Sequence, residues 1–161
     1  MNFWRFLGVA AIAALLWFGL RNNAAPAFRV ASESGKAVTI ADYKNKVLLL
    51  FFWMPGCSAC EASFPAVNRI FSQHDGVLCS VLGVVSGAAL DDNLKAYADK
   101  FSFTFPLAAD LKYEAARAYK VRGFPTFVLI DKKGKVRKTW IGYGPQVDSE
   151  INSEIAHLKE E

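Results

Sequence analysis

The chain reads as a mixed α/β domain, a central sheet with helices on both faces. Three observations predict this. Strand-like and helix-like segments alternate along most of the chain, in the order β-hairpin, β, α, β, α, β, α, β, β, α. The run KVLLLFFW, residues 46–53, is apolar at seven of eight positions, as in a central strand covered on both faces. The C-terminal part then changes to a hairpin followed by an amphipathic helix, which adds antiparallel strands to a parallel core.

The first element is an address rather than part of the domain. One early basic residue, Arg5, precedes fifteen uncharged and mostly apolar residues, Phe6 to Leu20, and Arg21 closes the run. It is read as an uncleaved membrane anchor, with a signal peptide cleaved near Ala24–Ala27 as the alternative. Phe3 and Trp4 extend the apolar stretch, because Arg5 can snorkel and Trp favours the interface. Either reading exports the rest of the chain to a compartment where disulfides persist. Residues 1–27 are therefore assigned to anchor or signal plus linker, and residues 28–161 to the domain.

Beyond the linker, alternating runs around Ser34-Gly35-Lys36 predict a hairpin. The buried run 46–53 comes next. From Cys57 the spacing becomes helical, with Phe64, Val67 and Phe71 on one row and Ala62, Ala66 and Ile70 on another. Pro65 lies inside this helix and is expected to kink it; Gly76 is its expected stop. Residues 77–85 predict a second buried strand, and Leu94, Tyr97, Ala98 and Phe101 an amphipathic helix. Residues 103–110 return to extended structure, and Leu111, Ala115, Ala118 and Tyr119 mark a further helical face. TFVLID, a turn at Lys133-Gly134 and VRKTWIG form the clearest hairpin. Val147, Ile151, Ile155 and Leu158 mark the last helix.

Composition narrows the function classes. The chain is 53% hydrophobic, enough for a core without disulfide staples, and its three cysteines are too few for a disulfide framework. The formal charge of +4 concentrates in DKKGKVRK, residues 131–138, which reads as the solvated tip and outer face of a hairpin, with a patch for acidic lipid or nucleic acid as the alternative. No basic–aromatic interleaving supports a nucleic-acid partner. No long apolar heptad is present, so a monomer is expected.

Cys57 and Cys60 sit where a buried strand gives way to a helix. The first amides of a helix lack intrahelical partners and carry partial positive charge, which stabilises a thiolate at Cys57. A stabilised thiolate is reactive near neutral pH. Cys60, within the first turn, is placed to attack a mixed disulfide formed by Cys57. The spacing Cys57-x2-Cys60-x13-His74-x4-Cys79 also resembles a zinc site. Against it, Cys79 falls in a predicted strand and His74 lies about 21 Å of helical rise from Cys60. No metal site is therefore assigned. Cys79 reads as buried and inert, and His74 and His157 as surface residues. Two thiolates could hold copper(I), making a binding protein without turnover an alternative, but the only methionines are Met1 and Met54. The Pro-x-x-x-Thr/Ser-x-x-Cys pattern of peroxiredoxins is absent around Cys57. Pro125, in VRGFPTFVLI, is either an ordinary strand-start proline or a cis proline whose turn frees the backbone of Phe124 for an extended substrate.

Trp53, Pro55, Cys57 and Cys60, with Pro65 and Gly123-Phe124-Pro125-Thr126, together resemble the thioredoxin superfamily, and within it the membrane-anchored TlpA/ResA-like thiol–disulfide oxidoreductases. The resemblance covers nearly all of residues 28–159. It implies a thioredoxin-like fold with an N-terminal β-hairpin extension and a central insertion near residues 87–106. It also implies a Cys57–Cys60 pair facing a cis-Pro125 loop, with no cofactor beyond that pair. The implied activity is exchange with protein disulfides, usually as a reductase, often for cytochrome c maturation or a similarly narrow clientele. The implied partner is a membrane electron donor of DsbD or CcdA type; the alternative within the class is a disulfide-forming oxidant or isomerase. Trp53, Met54 and Pro55 are expected to line an apolar docking rim, with core packing as the alternative, above all for Trp53; Phe124 and Pro125 are expected to present backbone to substrate. Gly142 to Gly144 are placed beside the same groove.

Three positions depart from the family pattern. Phe51 stands where thioredoxin has a buried carboxylate. Ala89 stands where ResA-like proteins carry a glutamate; Asp91 and Asp92 nearby read as a solvated helix cap, with substitution for that glutamate as the alternative. Gly56 replaces a bulky residue before the first cysteine. The neutral dipeptide Ser58-Ala59 leaves the potential open between about −270 and about −120 mV.

Overall fold

The computed structural model describes residues 23–74, 76–87 and 94–161. The apolar segment Phe6–Leu20 and the residues Ala89, Asp91 and Asp92 lie outside the described residues. A seven-stranded mixed sheet forms the centre, in the order β2-β1-β5-β4-β3-β6-β7. Its strands are β1 (Arg29–Ser32), β2 (Ala37–Thr39), β3 (Val47–Trp53), β4 (Cys79–Ser86), β5 (Leu107–Asp110), β6 (Thr126–Ile130) and β7 (Val136–Ile141). The helices are α1 (Ser58–Gln73), α2 (Leu94–Phe101), α3 (Glu114–Ala118) and α4 (Val147–Glu160).

All seven residues of β3 are buried, because the strand is paired on both edges and covered on both faces. It runs parallel to β4, Val47 opposite Cys79 through Trp53 opposite Val85, and antiparallel to β6. Its side chains alternate between two cores. Val47, Leu49, Phe51 and Trp53 face Phe64, Val67 and Ile70 of α1, Leu94 of α2, and Ile151, Ile155 and Leu158 of α4. Leu48, Leu50 and Phe52 face Phe28, Val30, Ala115, Ala116 and Tyr119.

The hairpin at the start, the buried strand, the helix after Cys57 and the final hairpin and helix lie where the sequence puts them. Three details differ. The second buried strand begins at Cys79, and Val77 and Leu78 ahead of it are 66% and 41% exposed, although Val47 N donates to Leu78 O at 2.8 Å. The buried stripe of α1 is Cys60, Ser63, Phe64, Ala66, Val67 and Ile70, leaving Ala62 exposed; Pro65 lies inside the helix, as expected, on its exposed side. Leu111 is exposed in the turn before α3. There the carboxylate of Asp110, itself buried, accepts from the backbone amides of Glu114, Ala115 and Ala116, satisfying the free donors of a short helix.

The linker also differs from expectation. Asn23 to Pro26 are docked on the domain: Val136 N donates to Asn23 O at 2.8 Å, Ala25 N to Gly134 O at 2.9 Å, and the Tyr119 hydroxyl to Pro26 O at 2.8 Å. Burial pushes the Tyr119 hydroxyl above its ordinary pKa. Along the same edge strand, Glu150 of α4 accepts from the Trp140 indole at 2.9 Å and from Lys138 at 3.2 Å, tying α4 to β7.

Close approach on β4 requires a glycine at residue 83. A Cβ there would lie 2.6 Å from Leu107 Cδ2 and 2.8 Å from Phe105 Cε2. Gly83→Ala should lower stability by about 1–3 kcal/mol, the usual cost of overpacking, in a urea titration. A neutral effect would mean that Phe105 and Leu107 yield easily.

Candidate active site

β3 ends at Trp53, and four residues, Met54 to Cys57, turn the chain into α1. Gly56 adopts φ +76°, a left-handed conformation that disfavours a bulky side chain, so this departure from the family pattern has a backbone cause. Cys57 is the N-cap of α1: its sulfur accepts from the backbone N–H of Cys60 at 3.2 Å. The same sulfur is disulfide-bonded to Cys60, with Cα atoms 5.2 Å apart. The two cysteines differ sharply in access. Cys57 is half-buried, whereas Cys60 is fully buried against the core.

The second part of the site comes from the turn before β6. Phe52 pairs with Thr126, so this turn lies beside the end of β3 that leads to the cysteines. The Phe124–Pro125 peptide bond is cis. The turn is held from two sides: Thr126 Oγ1 donates to Gly123 O at 2.7 Å, and Gly142 N donates to Pro125 O at 2.7 Å. Phe124 is half-buried and packs against both cores, while Pro125 is buried. Gly142 thus borders the proline loop, and Ile141 beside it is 61% exposed.

Trp53 requires a correction. It is only 1% exposed and belongs to the core rather than to a docking rim. As the last inward residue of β3 it packs edge-on against Phe64, Tyr97, Phe101 and Phe103. Met54 and Pro55, one and two residues on, are half-buried at the surface. Phe51, where a carboxylate would stand, stacks on Phe127 and is fully buried.

Ser63 was not legible as a site-supporting residue. It is fully buried one turn after Cys60 and donates to the Cys60 carbonyl at 2.6 Å. Its i+3 spacing from Cys60 was the available signal. The zinc spacing does not converge. His74 caps the far end of α1, within 3.2 Å of Asn152 Oδ1, and Cys79 is buried in β4. His157 is exposed and lies 3.5 Å from Glu161.

A disulfide across the first turn of a helix, with one sulfur accessible and the other shut in the core, is the working part of a thioredoxin-like thiol–disulfide oxidoreductase, and that is the class of enzyme the fold and site define. The chain belongs to the AhpC/TSA family, whose model matches residues 22–139. Within it the chain is similar to thiol-disulfide oxidoreductase ResA of Geobacillus thermodenitrificans, 31% identical over 85% of this chain and 77% of the relative. Two solved structures have the same fold. One, assigned as a thiol:disulfide interchange protein DsbE from Chlorobium tepidum, has a TM-score of 0.73 at 30% identity and covers 85% of this chain and 96% of its own. The other is the exposed lipoprotein thioredoxin Etrx1 of Streptococcus pneumoniae, with a TM-score of 0.70 at 29% identity, covering 82% of this chain and 99% of its own.

The position of Trp53 gives a direct test. Trp53→Ala should cost about 3–5 kcal/mol in chemical denaturation, as expected for emptying a core site. A rim residue would instead leave stability unchanged and raise KM for a protein disulfide.

Proposed function

We propose that this enzyme reduces protein disulfides outside the cytoplasm, with Cys57 as the attacking and Cys60 as the resolving thiol. The observation that carries this reading is the asymmetry of the pair. Only Cys57 is accessible, and the Cys60 amide points at its sulfur, where it favours the thiolate.

The exchange proceeds in two attacks. The Cys57 thiolate attacks one sulfur of a client disulfide, forming a mixed disulfide and releasing the other client sulfur as a thiolate. Cys60 gives up its proton and attacks the Cys57 sulfur. The second client sulfur leaves, and the Cys57–Cys60 disulfide closes. Two electrons have passed from the pair to the client. The structure is that of the oxidised product. The backbone of Phe124, beside the cis peptide, is the proposed edge for an extended client segment, with Met54 and Pro55 as its apolar rim. Phe51, fully buried and without a titratable group, cannot take the Cys60 proton.

Location and electron supply belong to the same reading. The apolar segment Phe6–Leu20 supports an N-terminal membrane anchor with the domain on the extracytoplasmic side; secretion after cleavage is the variant of it. Among the described residues no helix is long and apolar enough to cross a membrane. The similarity to an exposed lipoprotein thioredoxin supports the same side of the membrane. A membrane donor of DsbD or CcdA type would return the pair to the dithiol. A narrow clientele, such as apocytochrome c, is part of the same proposal and follows from the sequence resemblance to TlpA/ResA-like proteins.

Cys60→Ser should accumulate mixed disulfides on non-reducing gels, since the intermediate forms but cannot resolve. Cys57→Ser should form none. Equal adducts from both variants, or none from either, would contradict the assigned roles.

A further inference from the structure

The end of the sheet opposite Cys57 carries a feature that disulfide exchange does not use. A cavity of about 290 Å³ opens there, lined by Ala25, Tyr43, Lys44, Lys46, Lys132 and Lys133 among others. Lys135, on the same hairpin, pairs through its backbone with Ala24. Two of these lysines are already engaged: Lys46 Nζ donates to Gly76 O and Lys132 Nζ to Lys159 O, both at 2.7 Å. Lys44, Lys133 and Lys135 are exposed, and no acidic side chain among the described residues lies within ion-pair distance of them. Glu161 feels the charge of Lys133 from beyond ion-pair distance, and the hydrogen bonds of the neighbouring acids go elsewhere. Asp131 accepts from the Lys133 and Lys135 amides and, with Glu161, from Arg137; Asp42 accepts from Thr39.

The path of the chain fixes which way this end points. Asn23 to Ala25 are hydrogen-bonded to the hairpin of Gly134 and Val136 rather than hanging free. Only Arg21 and Asn22 separate Asn23 from Leu20, the last residue of the apolar segment. At no more than about 3.5 Å per residue, the hairpin can lie only about 10 Å from the end of that segment. That is close to the screening length at physiological salt, roughly 8 Å. β3 starts at the cavity and runs about 20 Å away from it before the turn to Cys57.

We propose that Lys44, Lys133 and Lys135 form a face that rests on anionic phospholipid headgroups, holding the domain against the membrane with its redox pair turned outward. The proposal deepens the membrane-tethered reading above and rests on Phe6–Leu20 being an anchor. A docked linker without slack makes the hairpin the face presented to the bilayer, and its unpaired lysines match an anionic surface. Each such lysine contributes about fivefold in binding, equivalent to about 1 kcal/mol. The protein then holds a client-facing orientation instead of swinging on a tether.

The test uses the full chain reconstituted in phosphatidylcholine vesicles with or without phosphatidylglycerol. Amide hydrogen exchange is monitored at residues 132–135, 44–46 and 54–59. With phosphatidylglycerol at low salt, the first two segments should exchange at least about fivefold more slowly than with phosphatidylcholine alone, and residues 54–59 should be unchanged. High salt should remove the protection. The variant K44E/K133E/K135E should abolish it while oxidising a small dithiol at the wild-type rate. Equal exchange on both vesicles, or protection centred on 54–59, would overturn the proposal. Failure to float with phosphatidylcholine vesicles would sink the anchor reading and with it the proposed orientation, whereas flotation with equal exchange on both vesicles would sink the lysine face alone. Loss of dithiol oxidation in the wild type would sink the enzymatic reading alone.

Discussion

Everything in this molecule depends on the complete burial of β3. Its seven side chains leave water on both faces, and at roughly 1.5–3 kcal/mol each that is on the order of 10–20 kcal/mol of apolar burial, as an upper bound. Pairing to β4 and β6 satisfies its backbone on both edges. The strand is therefore a fixed post. It positions the turn through Gly56 and the N-cap at Cys57, which leave its end directly, and the proline turn, which pairs in at Thr126. The redox pair owes its geometry to apolar residues that take no part in the chemistry.

The post also explains the difference between the two cysteines. Cys60 belongs to the same buried stripe of α1 as Phe64, Val67 and Ile70, so the packing that holds the helix on β3 also shuts Cys60 away from clients. Cys57 sits one turn earlier, at the cap, where helix amides reach it and packing does not cover it. Moving the pair one residue along the helix would exchange burial for exposure. Stability and division of labour are set by one helical stripe.

Much of this was legible in the sequence because it rests on strong local signals. KVLLLFFW can hardly be anything but a central strand, Cys57-x-x-Cys60 sits on a strand-to-helix junction, and the Lys133-Gly134 turn is flanked by clear alternation. The features that escaped a sequence reading depend on neighbours distant in the chain. Trp53 looks like a site residue because it adjoins one; its burial is decided by Tyr97, Phe101 and Phe103, some fifty residues away. Val77 and Leu78 read as strand because they are apolar, yet both lie exposed ahead of β4. Residues 23–26 read as a linker, since small residues and a proline give no sign of pairing with a hairpin over a hundred positions later. Ser63 hides among helix polar residues until the burial of Cys60 fixes which face turns inward.

The direction of electron flow is the central claim, and the reduction potential of the Cys57–Cys60 pair tests it most directly. Full-length protein in detergent, equilibrated against glutathione or dithiothreitol buffers, gives the value from the fraction of disulfide at each ratio. The account predicts a potential at or below about −220 mV, as a reductant supplied across the membrane requires. A potential near −120 mV would contradict it and make the enzyme an oxidant of exported thiols.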